Sequence, residues 1–188
     1  IGPLLPSGGS NGPVLNALMA LAHEILDHHP LNEARRAAGK LPANGVWFWA
    51  EGTAVELPCF VDEFGYRGGV VSAVPLCHGI AALTGLEPIF VEGATGEIDT
   101  NLENKVAAVL KVLETYDFAA LHVEAPDECT HNGDLKGKLQ SIEWLDSRCM
   151  VPLLKAFAEH GWDYRILLLS DHKTLTSTRG HDGDPVPF

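Results

Sequence analysis

The sequence predicts an α/β chain with a doubly wound, mainly parallel sheet. From about Gly68 onward, short apolar runs of strand length alternate with longer stretches in which apolar residues recur at helical spacing. The short runs are nearly continuous in their apolar character rather than alternating, as strands buried on both faces are. Acids and imidazoles collect just after the carboxyl ends of these runs, where open α/β sheets place their sites.

Residues 1–12 are rich in Gly, Pro and Ser and read as loop. Leu15, Leu18, Ala22 and Ile25 recur at helical spacing, so Pro13 to about Asp27 is expected to be a helix, stopped by His28-His29-Pro30. Leu31 to Ala38 follows as a short helix with Gly39 as its end cap. Val46-Trp47-Phe48-Trp49 reads as a buried aromatic strand, and Pro58 to Phe64 as a short helix ended by Gly65. This more helical stretch, 1–64, reads as the tail of a different unit from 65–188.

Within the second unit, Gly68 to Val74 is the first strand, and Pro75 suits the opening turn of a helix that Gly85 ends. Glu87 to Val91 is the next strand. The turn Gly93-Ala94-Thr95-Gly96 after it is either a plain turn or a backbone cradle for phosphate. Thr100 and Glu103 have capping-box spacing before a helix lined by Leu102, Val106, Val109 or Leu110, and Leu113. Phe118 to Val123 is the central strand, ending in a loop that runs to His131. Asp134 to about His160 is helical, with Leu135, Leu139, Ile142, Cys149, Leu153 and Phe157 inward and a kink or break at Pro152. Ile166 to Leu169 is a further strand, Ser170-Asp171-His172 its loop, and Asp184 to Phe188 the beginning of a last one. A chain that opens without methionine and stops in a strand is expected to be a fragment.

A formal net charge of -12 argues against a nucleic-acid or anionic-membrane surface. It leaves an anionic substrate open, because bound divalent cations reverse the local sign. No apolar run approaches the roughly 18 residues of a membrane span. Cys59, Cys77, Cys129 and Cys149 form no CxxC pair and read as free thiols, which places the protein in a reducing cytoplasm.

Divalent metals take carboxylate oxygens and imidazole nitrogens. Asp127 and His131 stand a helical turn apart, Asp171-His172 adds an adjacent pair, and His181 is a fifth candidate. In a turning loop adjacent side chains point apart, so Asp171 and His172 suit two different ions of a two-metal site. The other readings are local: Asp127 equally suits a helix N-cap, Cys129 an incidental thiol, and His28-His29 a solvated helix end. Mixed oxygen and nitrogen donors suit Mn, Zn or Co, and Mg less well beside three imidazoles.

The run Val123-Glu124-Ala125-Pro126-Asp127-Glu128-Cys129-Thr130-His131-Asn132-Gly133-Asp134 resembles the metal loop of the archaeal-type, cofactor-independent phosphoglycerate mutases of the alkaline phosphatase superfamily. Ala22-His23-Glu24-Ile25-Leu26, His29-Pro30-Leu31-Asn32 with Arg35, and Pro42-Ala43-Asn44 are similar to that family as well. So are Val71-Ser72-Ala73-Val74-Pro75, Gly93 to Gly96 with Asp99-Thr100-Asn101, and His181 through Asp184 to Phe188. The resemblance implies an alkaline-phosphatase-type sheet, here incomplete, preceded by the end of a cap domain. It implies two divalent ions, manganese foremost, one on Asp127, His131 and His181 and the other on Asp171 and His172. It implies a serine nucleophile upstream of this chain that carries the phosphoryl group between 3-phosphoglycerate and 2-phosphoglycerate, so that the fragment alone is inactive. Two substrate contacts follow from it, His78, where the family often has lysine, and Thr95. The alternatives are a sister phosphotransferase or phosphatase on another small phosphoester, homoserine-kinase-like for instance, and a non-catalytic α/β module.

Overall fold

A computed structural model describes residues 5–7, 9–49 and 52–188. The chain divides into two compact units, Ile1–Val55 and Glu56–Phe188.

The first unit carries α1 (Gly12–Asp27) and α2 (Pro30–Ala37). His29 caps α2, its Nδ1 accepting from the Leu31 N–H at 3.2 Å. Buried Asn32 ties the helices to the segment after them: its Nδ2 donates to the carbonyls of Leu26 and Ala43, and its Oδ1 accepts from the Ala43 N–H. Asn44 donates to Asp27 at 2.6 Å, and its carbonyl meets His23 Nδ1 at 2.7 Å. Among the described residues the expected aromatic strand does not form. Val46 to Trp49 forms no ladder, and its side chains are 40–72% exposed. Polar bonds to residues 43 and 44 hold this stretch; they bury no side chain of the aromatic run.

The second unit opens with α3 (Phe60–Phe64), ended by Gly65 at φ 74°. Three parallel strands follow, β1 (Gly68–Val71), β2 (Glu87–Ile89) and β3 (Phe118–Leu121), in the order β2-β1-β3. Val71 pairs with Ile89 on one side and Leu121 on the other. A Cβ at Gly68 would fall 2.5–2.8 Å from the Phe118 carbonyl oxygen and side chain, so glycine is what admits this close pairing. α4 (Pro75–Leu83) links β1 to β2, and α5 (Leu102–Leu113) links β2 to β3. The chain therefore moves outward from β1, then back across it. Right-handed crossovers put the two helices on opposite faces of the sheet, which is the doubly wound arrangement. The strands are shorter than their apolar runs, because only the residues with partners on a neighbouring strand join the ladder.

α5 is capped one residue later than its sequence suggests: Asn101 accepts from the Asn104 N–H at 2.9 Å, while Thr100 accepts from the Thr95 N–H. Val71, Leu102, Val106, Val109, Cys149, Leu153 and Phe157 form the buried core. The presumed loop after β3 is a helix, α6 (Ala125–His131). α7 (Leu135–Trp144) follows, with Asp134 accepting from the Gly137 N–H. The expected break at Pro152 takes a milder form. The helix widens to a π turn over Leu145–Met150, where the Val151 N–H bonds the Asp146 carbonyl, and resumes as α8 (Val151–His160). A π turn shifts the bonding so that proline's missing N–H ends no helix. Leu135, Leu139 and Ile142, expected inward, are 47–56% exposed.

Ile166 to Leu169 and Asp184 to Phe188 are not strands; among the described residues neither finds a ladder partner. Between them lies an antiparallel hairpin, β4 (Lys173–Leu175) and β5 (Gly180–Asp182), with Thr174 opposite His181.

Arg148 of the π turn grips Glu103 of α5 through two bonds of 2.7 and 2.8 Å. The guanidinium donation holds the Glu103 carboxyl down at about 2, against an ordinary 4.5. A carboxyl depressed in the folded state contributes stability above its unfolded value and loses it as pH falls. Both side chains are partly exposed, so the contribution stays under about 1 kcal/mol. Urea denaturation of E103Q should show that deficit at pH 7 and a closing gap between pH 4.5 and 2.

Candidate metal centre

Asp127 and His131 share one face of α6, four residues apart, and a carboxylate in its first turn is favoured by the helix dipole. His131 Nε2 lies 3.3 Å from Asp127 Oδ2. The hairpin brings in the third group: His181 Nε2 lies 3.5 Å from Asp127 Oδ1 and 3.0 Å from His131 Nε2. One ligand atom from each of the three falls within 4.8 Å of the others. These groups are half-buried to exposed, so an ion can reach them from solvent.

Neighbours aim the donors. His131 Nδ1 sits 2.7 Å from the Arg179 carbonyl, which accepts only an N–H. In the neutral ring this fixes the proton on Nδ1 and leaves the Nε2 lone pair facing Asp127 and His181. Arg179 adopts φ 56°, a left-handed conformation that is uncommon for a residue with a Cβ, and its guanidinium packs over Gly133. The Thr174 hydroxyl donates to Asp127 Oδ1. The result is one carboxylate and two imidazole nitrogens facing each other, a donor set that suits a divalent cation.

His172 and Asp171 stand apart from this trio. The His172 ring stacks on His181 with centroids 3.8 Å apart, and its Nδ1 is 3.3 Å from the Thr174 hydroxyl oxygen. Asp171 Oδ2 is 3.4 Å from His172 Nε2, with the Asp171 side chain 79% exposed. The charge of Asp171 is felt by His122 at the end of β3, where burial and then Lys105 hold the imidazole below its usual range. The pair is thus adjacent to the cluster without joining it.

His78 lies in the first turns of α4, 9% exposed, with its ring 4.3 Å from Phe90 and its buried Nε2 lacking a partner. It lines a cleft of ≈ 340 Å³ together with Ser72, Ala73, Pro75, Phe90, Val91 and Ala94. Thr95 is committed within its own loop. Its N–H donates to Thr100, and its hydroxyl donates to Asp99 at 2.7 Å and accepts from Glu97. Glu124 lies so close over Gly96 that a Cβ there would overlap its carboxylate, which makes this turn a poor cradle for an anion.

The surroundings are acidic. Burial, then the charges of Glu128 and Asp127, push the Glu124 carboxyl above its ordinary range. Thr174 and Arg179 escaped the sequence reading. One acts through a hydroxyl brought in by the hairpin and the other through a backbone carbonyl, and neither has a motif.

The Metalloenzyme superfamily model matches residues 7–188. The chain belongs to the metalloenzyme superfamily. Membership implies dependence on divalent metal. The chain is 42% identical, over 96% of its length and 46% of the relative's, to the 2,3-bisphosphoglycerate-independent phosphoglycerate mutase of Methanothrix thermoacetophila. It is 44% identical, over 96% of its length and 45% of the relative's, to the probable enzyme of the same name from Geobacter sulfurreducens. It spans about half the length of these curated relatives. Among solved structures, the PH0037 protein of Pyrococcus horikoshii superposes with a TM-score of 0.75 at 30% identity, covering 93% of this chain and 45% of that one.

Partners that orient metal ligands typically carry about 10–100-fold in affinity. Thr174→Val, which removes the hydroxyl on Asp127, should weaken divalent-cation binding by about that range in calorimetric titration, and Asp127→Asn should abolish it. Unchanged affinity in both variants would place the ion elsewhere.

Proposed function

We propose that this chain is the cation-holding part of a metal-dependent phosphoglycerate mutase, which interconverts 3-phosphoglycerate and 2-phosphoglycerate in the cytoplasm. The observation that carries the proposal is the meeting of Asp127, His131 and His181, drawn from segments some 50 residues apart, in a chain about 40% identical to named mutases. Asp127, His131 and His181 hold one ion in this reading, and Asp171 with His172 contributes to a second. Manganese suits the mixed carboxylate and imidazole donors, with Zn, Co or Mg as substitutes. Bound there, the ions supply Lewis acidity to phosphoryl oxygens.

The chain's own residues supply the rest of this half-site. His131 is held as an acceptor by Arg179, and Asp127 is oriented by Thr174. His78, at the mouth of α4 with an uncommitted nitrogen, is the candidate donor to a substrate oxygen. Thr95 contributes by ordering the loop beside it through Asp99 and Thr100. The serine that accepts the phosphoryl group is assigned to a part of the full-length protein outside this chain, so the chain alone is inactive, and Ile1 to about Phe64 belongs to the cap and its return. A covalent serine step divides a difficult transfer into two easier ones.

The decisive experiment follows ³¹P spectra of the full-length protein with Mn²⁺ and 3-phosphoglycerate. The 2-phosphoglycerate signal should grow, vanish with EDTA, and fall at least about 100-fold in rate for His131→Ala. Release of inorganic phosphate without 2-phosphoglycerate would make the protein a phosphatase of the same superfamily instead.

A further inference from the structure

Lys105 is the largest fully buried side chain among the described residues, 1% exposed on the core side of α5. Burying an ammonium is costly unless its charge is matched, and burial accordingly holds this amine below its usual range. Among the described residues no carboxylate lies within ion-pair distance of it; Cys149, Glu124 and Cys77 are the charged or titratable groups that it senses. Its hydrogen bond goes to the main-chain carbonyl of His122, at 3.2 Å.

The place where that bond lands gives it meaning. His122 is the residue after β3, and its N–H continues the ladder to the Val71 carbonyl at 2.9 Å. Its Nδ1 lies 3.1 Å from the hydroxyl oxygen of Ser72, itself bonded by the Val74 N–H at 3.0 Å. Three residues on, the buried Ala125 opens α6. No side chain caps that helix: Glu124, the residue before it, makes no capping bond. The line of α6, and with it the positions of Asp127 and His131, is therefore set by how residues 122–124 leave the sheet.

We propose that Lys105 is a positioning residue for the cation site, its buried amine fixing the His122 carbonyl at the point where β3 gives way to α6. The proposal rests on the reading of Asp127, His131 and His181 as metal ligands. A lysine kept for packing alone would be replaceable by methionine, which fills the same space without the desolvation cost.

The test uses the full-length protein labelled with ¹⁵N-histidine, and compares wild type, Lys105→Met and Lys105→Arg, each verified as folded by circular dichroism. Lys105→Gln, whose amide stops one bond short of the carbonyl, is a second variant that breaks the contact should methionine prevent folding. Imidazole resonances of His131 and His181 without metal report the positioning; Mn²⁺ titration reports its consequence. The expected result is shifted resonances and about 10-fold weaker Mn²⁺ binding in Lys105→Met or Lys105→Gln, with Lys105→Arg, which keeps a donor, restoring most of both. Resonances and affinity that match wild type in the folded variants would overturn the proposal. Shifted resonances in a protein whose wild type binds no Mn²⁺ would sustain the positioning role and refute the metal reading alone.

Discussion

Asp127, His131 and His181 meet because a three-residue hairpin strand is held against a seven-residue helix by polar bonds. Thr174 donates its hydroxyl to Asp127, Lys138 Nζ reaches the Thr174 carbonyl at 2.9 Å, and the Arg179 carbonyl accepts from His131. These contacts join α6 and α7 to β4 and to the turn between β4 and β5. All three dock the hairpin, and those of Thr174 and Arg179 also orient Asp127 and His131. Loss of either of these two both loosens the hairpin and frees a donor to rotate, so the geometry of the site and the local fold are coupled rather than stacked one on the other.

Beneath this lies the parallel sheet. Parallel strands send all their carboxyl ends to one edge, and the reversal of direction at β1 opens a crevice there. β1 delivers Ser72 to that edge and β3 delivers His122. Both are drawn into the small hydrogen-bonded group around Lys105 before the chain proceeds to α6. The π turn contributes from below: it carries Cys149 into the core beside Lys105, while Arg148 pins the same turn to α5. The stretch from the core to Asp127 and His131 is thus a short chain of contacts through three elements.

What the sequence disclosed follows from what periodicity encodes. The βαβ alternation, the helix boundaries at Gly39 and Gly65, and the one-turn spacing of Asp127 and His131 were legible because each depends on local chemistry. Periodicity also marks an apolar stripe without naming what covers it. Leu76, Ile80 and Leu83 of α4 form such a stripe, as do Leu135, Leu139 and Ile142 of α7, and all are 47–71% exposed in this chain, which is about half the length of its relatives. The failed strands at Val46 and Ile166 have the same origin, since a strand needs a partner that its own residues cannot specify. Arg179 was out of reach for another reason, because a carbonyl's role depends on φ and ψ, not on residue type.

The charge around Asp127 favours a cation. Glu124, Asp127 and Glu128 lie within five residues at the head of α6, and the carboxyl of Glu124 is raised by burial and by the other two. A carboxyl raised in the folded state favours folding at low pH, and that contribution disappears as pH rises through its folded value. The head of α6 thus gathers three carboxyl groups, in a chain whose formal net charge is -12. A proton or a divalent ion relieves their charge equally well in sign, but only the ion would use the His131 lone pair that the Arg179 carbonyl turns toward Asp127. Ligand deprotonation and cation binding are thermodynamically linked, so this crowding of carboxyl groups is what would bias the cluster toward metal.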